Sequence, residues 1–281
     1  MLEQAYEVAI QGGVAVAPQS SDRLDELVAL SAEIGDPAKD YVILSEGNTS
    51  ARISEHSFWV KGSGIRLEHA RGPQAFVAME LEPLMRALRS EDETADGNLG
   101  ELLRSARVDG QDSPPEPSIE TFVHAICLEL GKAEFVAHTH PTAMNALLCA
   151  RDTESLYSGV LFPDEAVICG PVPLLIPYVE PGLALGRTLL RRFEAFVDKY
   201  GLPPRLILLA NHGIVALGST ATEVATITAM AVKAARIRYG TLSAGGPNFL
   251  SRDQAIRLFG REDERKRRQR LVQAPAELNP E

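Results

Sequence analysis

His138 and His140 stand two residues apart in "EFVAHTHP", at the end of an apolar run that Pro141 closes. Side chains along a strand alternate faces, so residues i and i+2 project to one side and this pair presents two imidazoles together. Such a pair suits a divalent metal ion, but a third ligand is needed. His212 is the candidate, because "LILLANHG" sets it just past a buried strand and beside a glycine that lets backbone come close to a ligand. Three neutral imidazoles leave one position on zinc open to substrate, as a catalytic site requires. The same donors also suit manganese, cobalt or iron.

Glu120 is the carboxylate of interest. It follows "PS" at the mouth of an apolar helical stripe, where free N–H groups and the helix dipole favour anions. There it serves either the helix start or a reaction. His124 lies one helical turn further on, either supporting the site from behind or satisfied within the core. His56 and His69 sit in polar loops and read as solvated rings. "EGNTS" and "KGSG", holding Asn48, Lys61, Ser63 and Gly64, offer small residues, hydroxyls and free N–H groups, either as plain turns or as an anion-binding nest.

The elements that must position these groups follow from periodicity. An amphipathic helix over 22–34 ends at Gly35 and Pro37, and β-rich runs at 41–44, 51–53 and 58–61 are separated by polar turns. Residues 62–75 read as loop, 76–79 as strand and 82–89 as helix, and the Asp-, Glu-, Gly- and Pro-rich stretch 90–117 as a surface excursion with one helical turn at 99–103. Ser118 is a plausible N-cap for a helix whose stripe is Ile119, Phe122, Val123, Ile126 and Leu130, stopped by Gly131. A strand over 135–140, a helix from Pro141 to about 150, strands at 167–169 and 174–177 and a helix over 183–200 come next. "RLILLANHGIVALG" then reads as strand, turn and strand, and Thr220 with Glu223 as a capping box for a helix reaching 239.

At 281 residues this pattern describes one α/β domain, with residues 261–281 as a charged C-terminal tail. No run approaches the roughly 18 apolar residues of a membrane span. Glu3 and Glu7 stand where a secretory leader carries positive charge, so a cytoplasmic location is expected. The net charge of −10 repels a phosphate backbone, and the one basic cluster, "REDERKRRQR", is interleaved with acids, so no nucleic-acid partner is expected. Cys127, Cys149 and Cys169 are odd in number and far apart in apolar surroundings, which fits reduced core thiols rather than a disulfide framework.

Taken together, "GNTS", "KGSG", "PSIE", "HTHP" and "NHG", in this order and spacing, closely resemble the class II aldolase/adducin family over residues 20–240. Its enzymes include fuculose-phosphate and rhamnulose-phosphate aldolases and ribulose-phosphate 4-epimerase. The resemblance implies a three-layer α/β/α sandwich around a mainly antiparallel sheet and a homotetramer with active sites between subunits. It implies that His138, His140 and His212 hold zinc, with manganese or cobalt as alternatives, and that Glu120 transfers a proton. By the same resemblance Asn48, Ser63, Gly64 and Ser118 surround a substrate phosphate.

Two departures bear on the reaction. Ile119 stands where the aldolases carry a second hydroxyl, and Lys61 either compensates as a point charge or signals a carboxylate substrate. "LFPDEAVICG" also lacks the tyrosine that donates a proton across the subunit boundary in the aldolases, leaving Tyr157, Asp164 or Glu165 as substitutes. The implied activity is cleavage of a ketose 1-phosphate to dihydroxyacetone phosphate and an aldehyde. Epimerisation, dehydration or decarboxylation of a sugar or sugar-acid phosphate is the alternative, and an adducin-like interaction protein the non-enzyme one. A carboxylate moving the proton works best with a pKa nearer neutrality than a free glutamate's, which is the expectation for Glu120.

Overall fold

The structure is a computed structural model that describes residues 20–90, 98–111 and 114–273. The segment read as lacking a secretory leader, part of the excursion at 90–117 and the end of the charged tail lie outside the described residues.

The described elements are helix α1 (Ser20–Ile34), strands β1 (Asn48–Arg52), β2 (Ser57–Lys61) and β3 (Phe76–Glu80), helices α2 (Leu81–Arg89), α3 (Leu99–Ser105) and α4 (Thr121–Glu129), and strand β4 (Phe135–Thr139). Then come helices α5 (Thr142–Leu148), α6 (Thr153–Leu156) and α7 (Pro163–Cys169), strand β5 (Leu174–Ile176), helix α8 (Leu183–Tyr200) and strands β6 (Leu206–Leu209) and β7 (Gly213–Gly218). Helices α9 (Ala221–Thr241), α10 (Arg252–Gly260) and α11 (Glu262–Gln273) complete them.

The strands form a seven-stranded sheet in the order β3-β2-β1-β4-β7-β6-β5, in which only the β5–β6 pair is parallel. Strand alternation sorts the core into two halves. Val136, Val215, Leu217, Ile207 and Leu209 point to one face, where α2, α4 and α8 pack with Leu84, Phe122, Ile126, Leu189 and Phe193. Phe135, Ala137, Ile214, Ala216 and Leu208 point to the other, covered by α1, α5, α7 and α9 through Leu27, Leu147, Val167 and Ile227. This is the expected α/β/α sandwich.

Several local readings change. Residues 167–169 are helix α7, not strand: Pro163 at its start and Asp164 and Glu165 in its first turn are helix-opening chemistry, and four apolar residues are too few to reveal a period. Residues 41–44 form a turn instead of a strand, with Leu44 at φ 53. "GNTS", read as a turn, supplies three residues of β1, because β2 and β4 flank it and take up its backbone groups. Ser118 is not the N-cap. Helix α4 begins at Thr121 with Glu120 in the N-cap position, and the Ser118 hydroxyl accepts the Glu120 N–H at 3.3 Å. Thr220 accepts the Glu223 N–H at 3.1 Å as expected, but the Glu223 carboxylate turns to Ser219 and Arg205. Cys127 and Cys169 are buried free thiols, whereas Cys149 is exposed.

Candidate functional site

Strand β4 ends at Thr139, one residue before His140, yet the two rings still meet: His138 and His140 present Nε2 atoms 2.8 Å apart. His138 pairs in register with Asn48 of β1 and Val215 of β7, on the sheet face that α4 covers. That shared face puts the start of α4, and so Glu120, over His138. Glu120 Oε1 lies 3.1 Å from His138 Nε2 and 2.9 Å from His212 Nε2.

His212 sits in the tight turn between β6 and β7, where Asn211 takes φ 55 and the His212 N–H returns to the Leu209 carbonyl. Asn145 of α5 holds the His212 carbonyl at 3.0 Å. Gly213 has a specific reason to be glycine: a Cβ there would lie 2.4 Å from the Thr139 carbonyl oxygen and 2.6 Å from the His140 ring. The close approach that the glycine permits is to the neighbouring strand end. The three ring centroids stand 4.7, 4.8 and 4.9 Å apart, all edge-on.

Four donor atoms from Glu120, His138, His140 and His212 thus lie within 4.8 Å of one another and could hold a metal ion. Three of their contacts, at 2.8, 2.9 and 3.1 Å, are a little shorter than the roughly 3.3 Å that separates ligands sharing a tetrahedral zinc. The Ile214 carbonyl, 2.9 Å from His138 Nδ1, accepts a hydrogen bond from that nitrogen and so, in the neutral ring, leaves Nε2 bare toward the cluster. The residue types and their convergence fit a divalent ion.

Electrostatics oppose one expectation. Burial alone would raise the Glu120 pKa, but the His138 and His212 imidazoles outweigh it and hold the carboxyl far below the usual carboxylate range, not near neutrality. Burial disfavours charge on His138 too, and Glu120 more than offsets it, so His138 is raised. His140 is driven down to about 3 by burial and by the two neighbouring rings.

Behind the cluster runs a polar chain. Asn48 Nδ2 donates to Glu120 Oε2 at 2.8 Å and to Ser118 Oγ at 3.3 Å; its Oδ1 accepts from His124 Nε2, and the Ser50 hydroxyl donates to His124 Nδ1 at 2.7 Å. Asn48, Ser118 and Glu120 are therefore brought together with the three ligand candidates. Ser63 and Gly64 are exposed and reach the site only through backbone: Ser63 N–H donates to the Glu116 carbonyl, and Gly62 bridges Pro117. Lys61 is 2 % exposed and its Nζ donates to the Gly62 and Ile65 carbonyls at 3.2 and 2.5 Å. Burial lowers its pKa to about 8 against the pull of Glu120.

The substitutes for the missing tyrosine are engaged elsewhere. Glu165 pairs with buried Arg238 at 2.9 Å, the Tyr157 ring lies 4.6 Å beneath the same guanidinium, and Asp164 pairs with Arg267 of α11 at 2.7 Å. His56 and His69 are exposed, His56 in a bend and His69 at the end of a 3-10 turn (Leu67–His69) within the stretch read as loop. Glu46, within "EGNTS", was missed: its Oε1 lies 3.8 Å from His140 Nδ1, and only the three-dimensional path of the turn reveals it.

An α/β/α sandwich that gathers three imidazoles at the ends of neighbouring strands, with a carboxylate from the start of the helix above them, offers a candidate metal site. The family model described as Class II Aldolase and Adducin N-terminal domain matches residues 25–239, and the chain belongs to that family. The fold is similar to the N-terminal class II aldolase domain of a conserved protein from Thermoplasma acidophilum, at 24 % identity and TM-score 0.59, covering 81 % of this chain and 98 % of that one. It is also similar to an L-fuculose 1-phosphate aldolase at 19 % identity and TM-score 0.62, covering 85 % and 95 %. The L-fuculose 1-phosphate aldolase from Glaciozyma antarctica PI12 matches at 14 % identity and TM-score 0.60, covering 97 % and 96 %. None of the curated proteins matches this chain.

Proposed function

We propose that this chain is a zinc-dependent aldehyde-lyase that cleaves a ketose 1-phosphate of the fuculose or rhamnulose type to dihydroxyacetone phosphate and an aldehyde. The observation that carries the reading is Glu120, one oxygen held by Asn48 and the other 2.9 and 3.1 Å from His212 and His138. His138, His140 and His212 would hold the ion, with manganese or cobalt as alternatives. A divalent ion there supplies Lewis acidity toward the oxygens that take up negative charge when a bond beside a ketone breaks.

The chain's own groups do the rest. When the bond breaks, the hydroxyl on the carbon that becomes the aldehyde gives its proton to a base, for which solvent water serves where no side chain is assigned, and the carbon left as an enediolate takes one up. Glu120 is the group assigned to the second transfer. Its proton affinity in this structure is lowered by the His138 and His212 contacts, and general acid–base help from such a group is on the order of 10²- to 10⁴-fold. Asn48, Ser118, Ser63 and Gly64 form the phosphate side, and buried Lys61 shapes the loop that carries the last two.

A second reading is favoured by the engagement of Tyr157, Asp164 and Glu165 with Arg238 and Arg267, which leaves no group of that stretch assigned to take the hydroxyl proton in cleavage. Epimerisation, dehydration or decarboxylation would use the same ion with different proton traffic. The test is a screen of metal-loaded protein against ketose 1-phosphates and their unphosphorylated and acidic counterparts, reading aldehyde, isomer and carbon dioxide. Aldehyde release from a phosphorylated ketose supports the lyase; carbon dioxide or an isomer alone contradicts it. Glu120→Gln should keep the ion and lose turnover by about 10²- to 10⁴-fold, whereas full turnover in that variant removes Glu120 from the reaction. Protein that takes up no stoichiometric divalent ion after reconstitution would favour an adducin-like binding module.

A further inference from the structure

His140 turns Nε2 toward the cluster, so Nδ1 is the nitrogen that faces outward. The group opposite it is Glu46, with Oε1 at 3.8 Å; the other oxygen accepts the Ile43 N–H at 3.1 Å, which fixes the carboxylate. Among the described residues no hydrogen bond to His140 Nδ1 competes with this contact.

The aim of Glu46 is built into backbone that burial does not explain. Leu44 holds φ 53, a left-handed conformation that strains a branched residue, and the Glu46 N–H closes that turn on the Ile43 carbonyl at 3.1 Å. Ile43 and Leu44 are 62 % and 65 % exposed, so core packing does not hold them there. Both ends of the turn are tied to the histidines. The Tyr41 carbonyl accepts the His140 N–H at 2.9 Å, and Gly47, at φ 68, lies so close beneath the His138 carbonyl that a Cβ would stand 2.6 Å from its oxygen.

We propose that Glu46 is a positioning residue that sets His140 in its Nδ1–H form, keeps Nε2 bare toward the ion and raises its basicity. An outer carboxylate on a ligating imidazole does this generally, and its loss typically weakens metal binding by about 10- to 100-fold. The 3.8 Å separation exceeds a hydrogen bond but lies within ion-pair reach. The role rests on the metal reading above, with Ile214 doing the same for His138.

The test is Zn²⁺ affinity of the full chain, measured by competition with a chelating dye, together with the Co²⁺ absorption spectrum and the melting temperature of the metal-free protein. Glu46→Gln should bind Zn²⁺ about 10- to 100-fold more weakly, shift the Co²⁺ bands and leave metal-free melting unchanged. Leu44→Val keeps every ligand but puts a β-branched side chain where the turn needs φ 53, and should weaken binding in the same direction by a smaller factor. Nitrogen-15 shifts should report His140 protonated at Nδ1 in wild type and as a tautomer mixture in Glu46→Gln. Wild-type affinity in both variants overturns the role of Glu46 while sparing the metal reading. Wild-type protein that takes up no ion overturns both.

Discussion

His124 is fully buried and faces the polar chain behind Glu120, where it decides which way Asn48 turns. Its Nε2–H donates to Asn48 Oδ1, so the Asn48 amide nitrogen is left to face Glu120. Burial, then the charges of His138 and Lys61, lower the His124 pKa from 6.5 to about 3. Between those values the unfolded chain binds a proton that the folded chain refuses. Stability therefore falls as pH drops from about 6.5 toward 3, at up to about 1.4 kcal/mol per pH unit for one proton. Melting temperature against pH checks this, and His124→Gln should flatten part of the slope. Lys61 invites a second test. Lys61→Met keeps the volume but strips one buried and one part-buried carbonyl of their donor, so a loss of about 1–3 kcal/mol is expected in denaturant unfolding. A lysine serving only as a point charge for phosphate would leave stability unchanged. At this scale the residue types were legible, since the three histidines and Glu120 stand out by spacing and context. The proton affinity of Glu120 was not, because it depends on imidazoles that reach it from positions far along the chain.

The elements place these side chains through two close approaches. The β6–β7 turn brings His212 beside the end of β4 only because Gly213 has no Cβ to meet Thr139 and His140. Gly213→Ala should push the His140 ring or the strand end aside. The expected cost is about 1–3 kcal/mol of stability together with weaker metal binding, while unchanged affinity would mean that the approach does not position the ring. Strong periodicity made the long elements readable: helix α8 runs over the residues its stripe marks, and β2, β3, β6 and β7 follow their apolar runs. Short segments failed where partners decide. "GNTS" became strand because two neighbours bond it, and 167–169 became helix because the chain enters through Pro163. The Glu46 turn had no local signature, since a leucine at positive φ is not one that sequence favours.

Across the whole molecule the strand order makes the site. Strands β1, β4 and β7 are adjacent in the sheet, so groups from residues 48, 138 to 140 and 212 meet at the ends of neighbouring strands, with α4 delivering Glu120 from the layer above. An unfolded chain has no such cluster, so an ion that binds only the folded form adds about 2.7 kcal/mol at a hundredfold excess over its dissociation constant. Melting should rise with added Zn²⁺ and fall again with a chelator. The most direct test of the account is equilibrium dialysis of wild type and His212→Ala against Zn²⁺ at matched concentration. One ion per wild-type chain, with affinity lost when the distant imidazole is removed, is the predicted result. Undiminished binding by His212→Ala, or none by wild type, would contradict it.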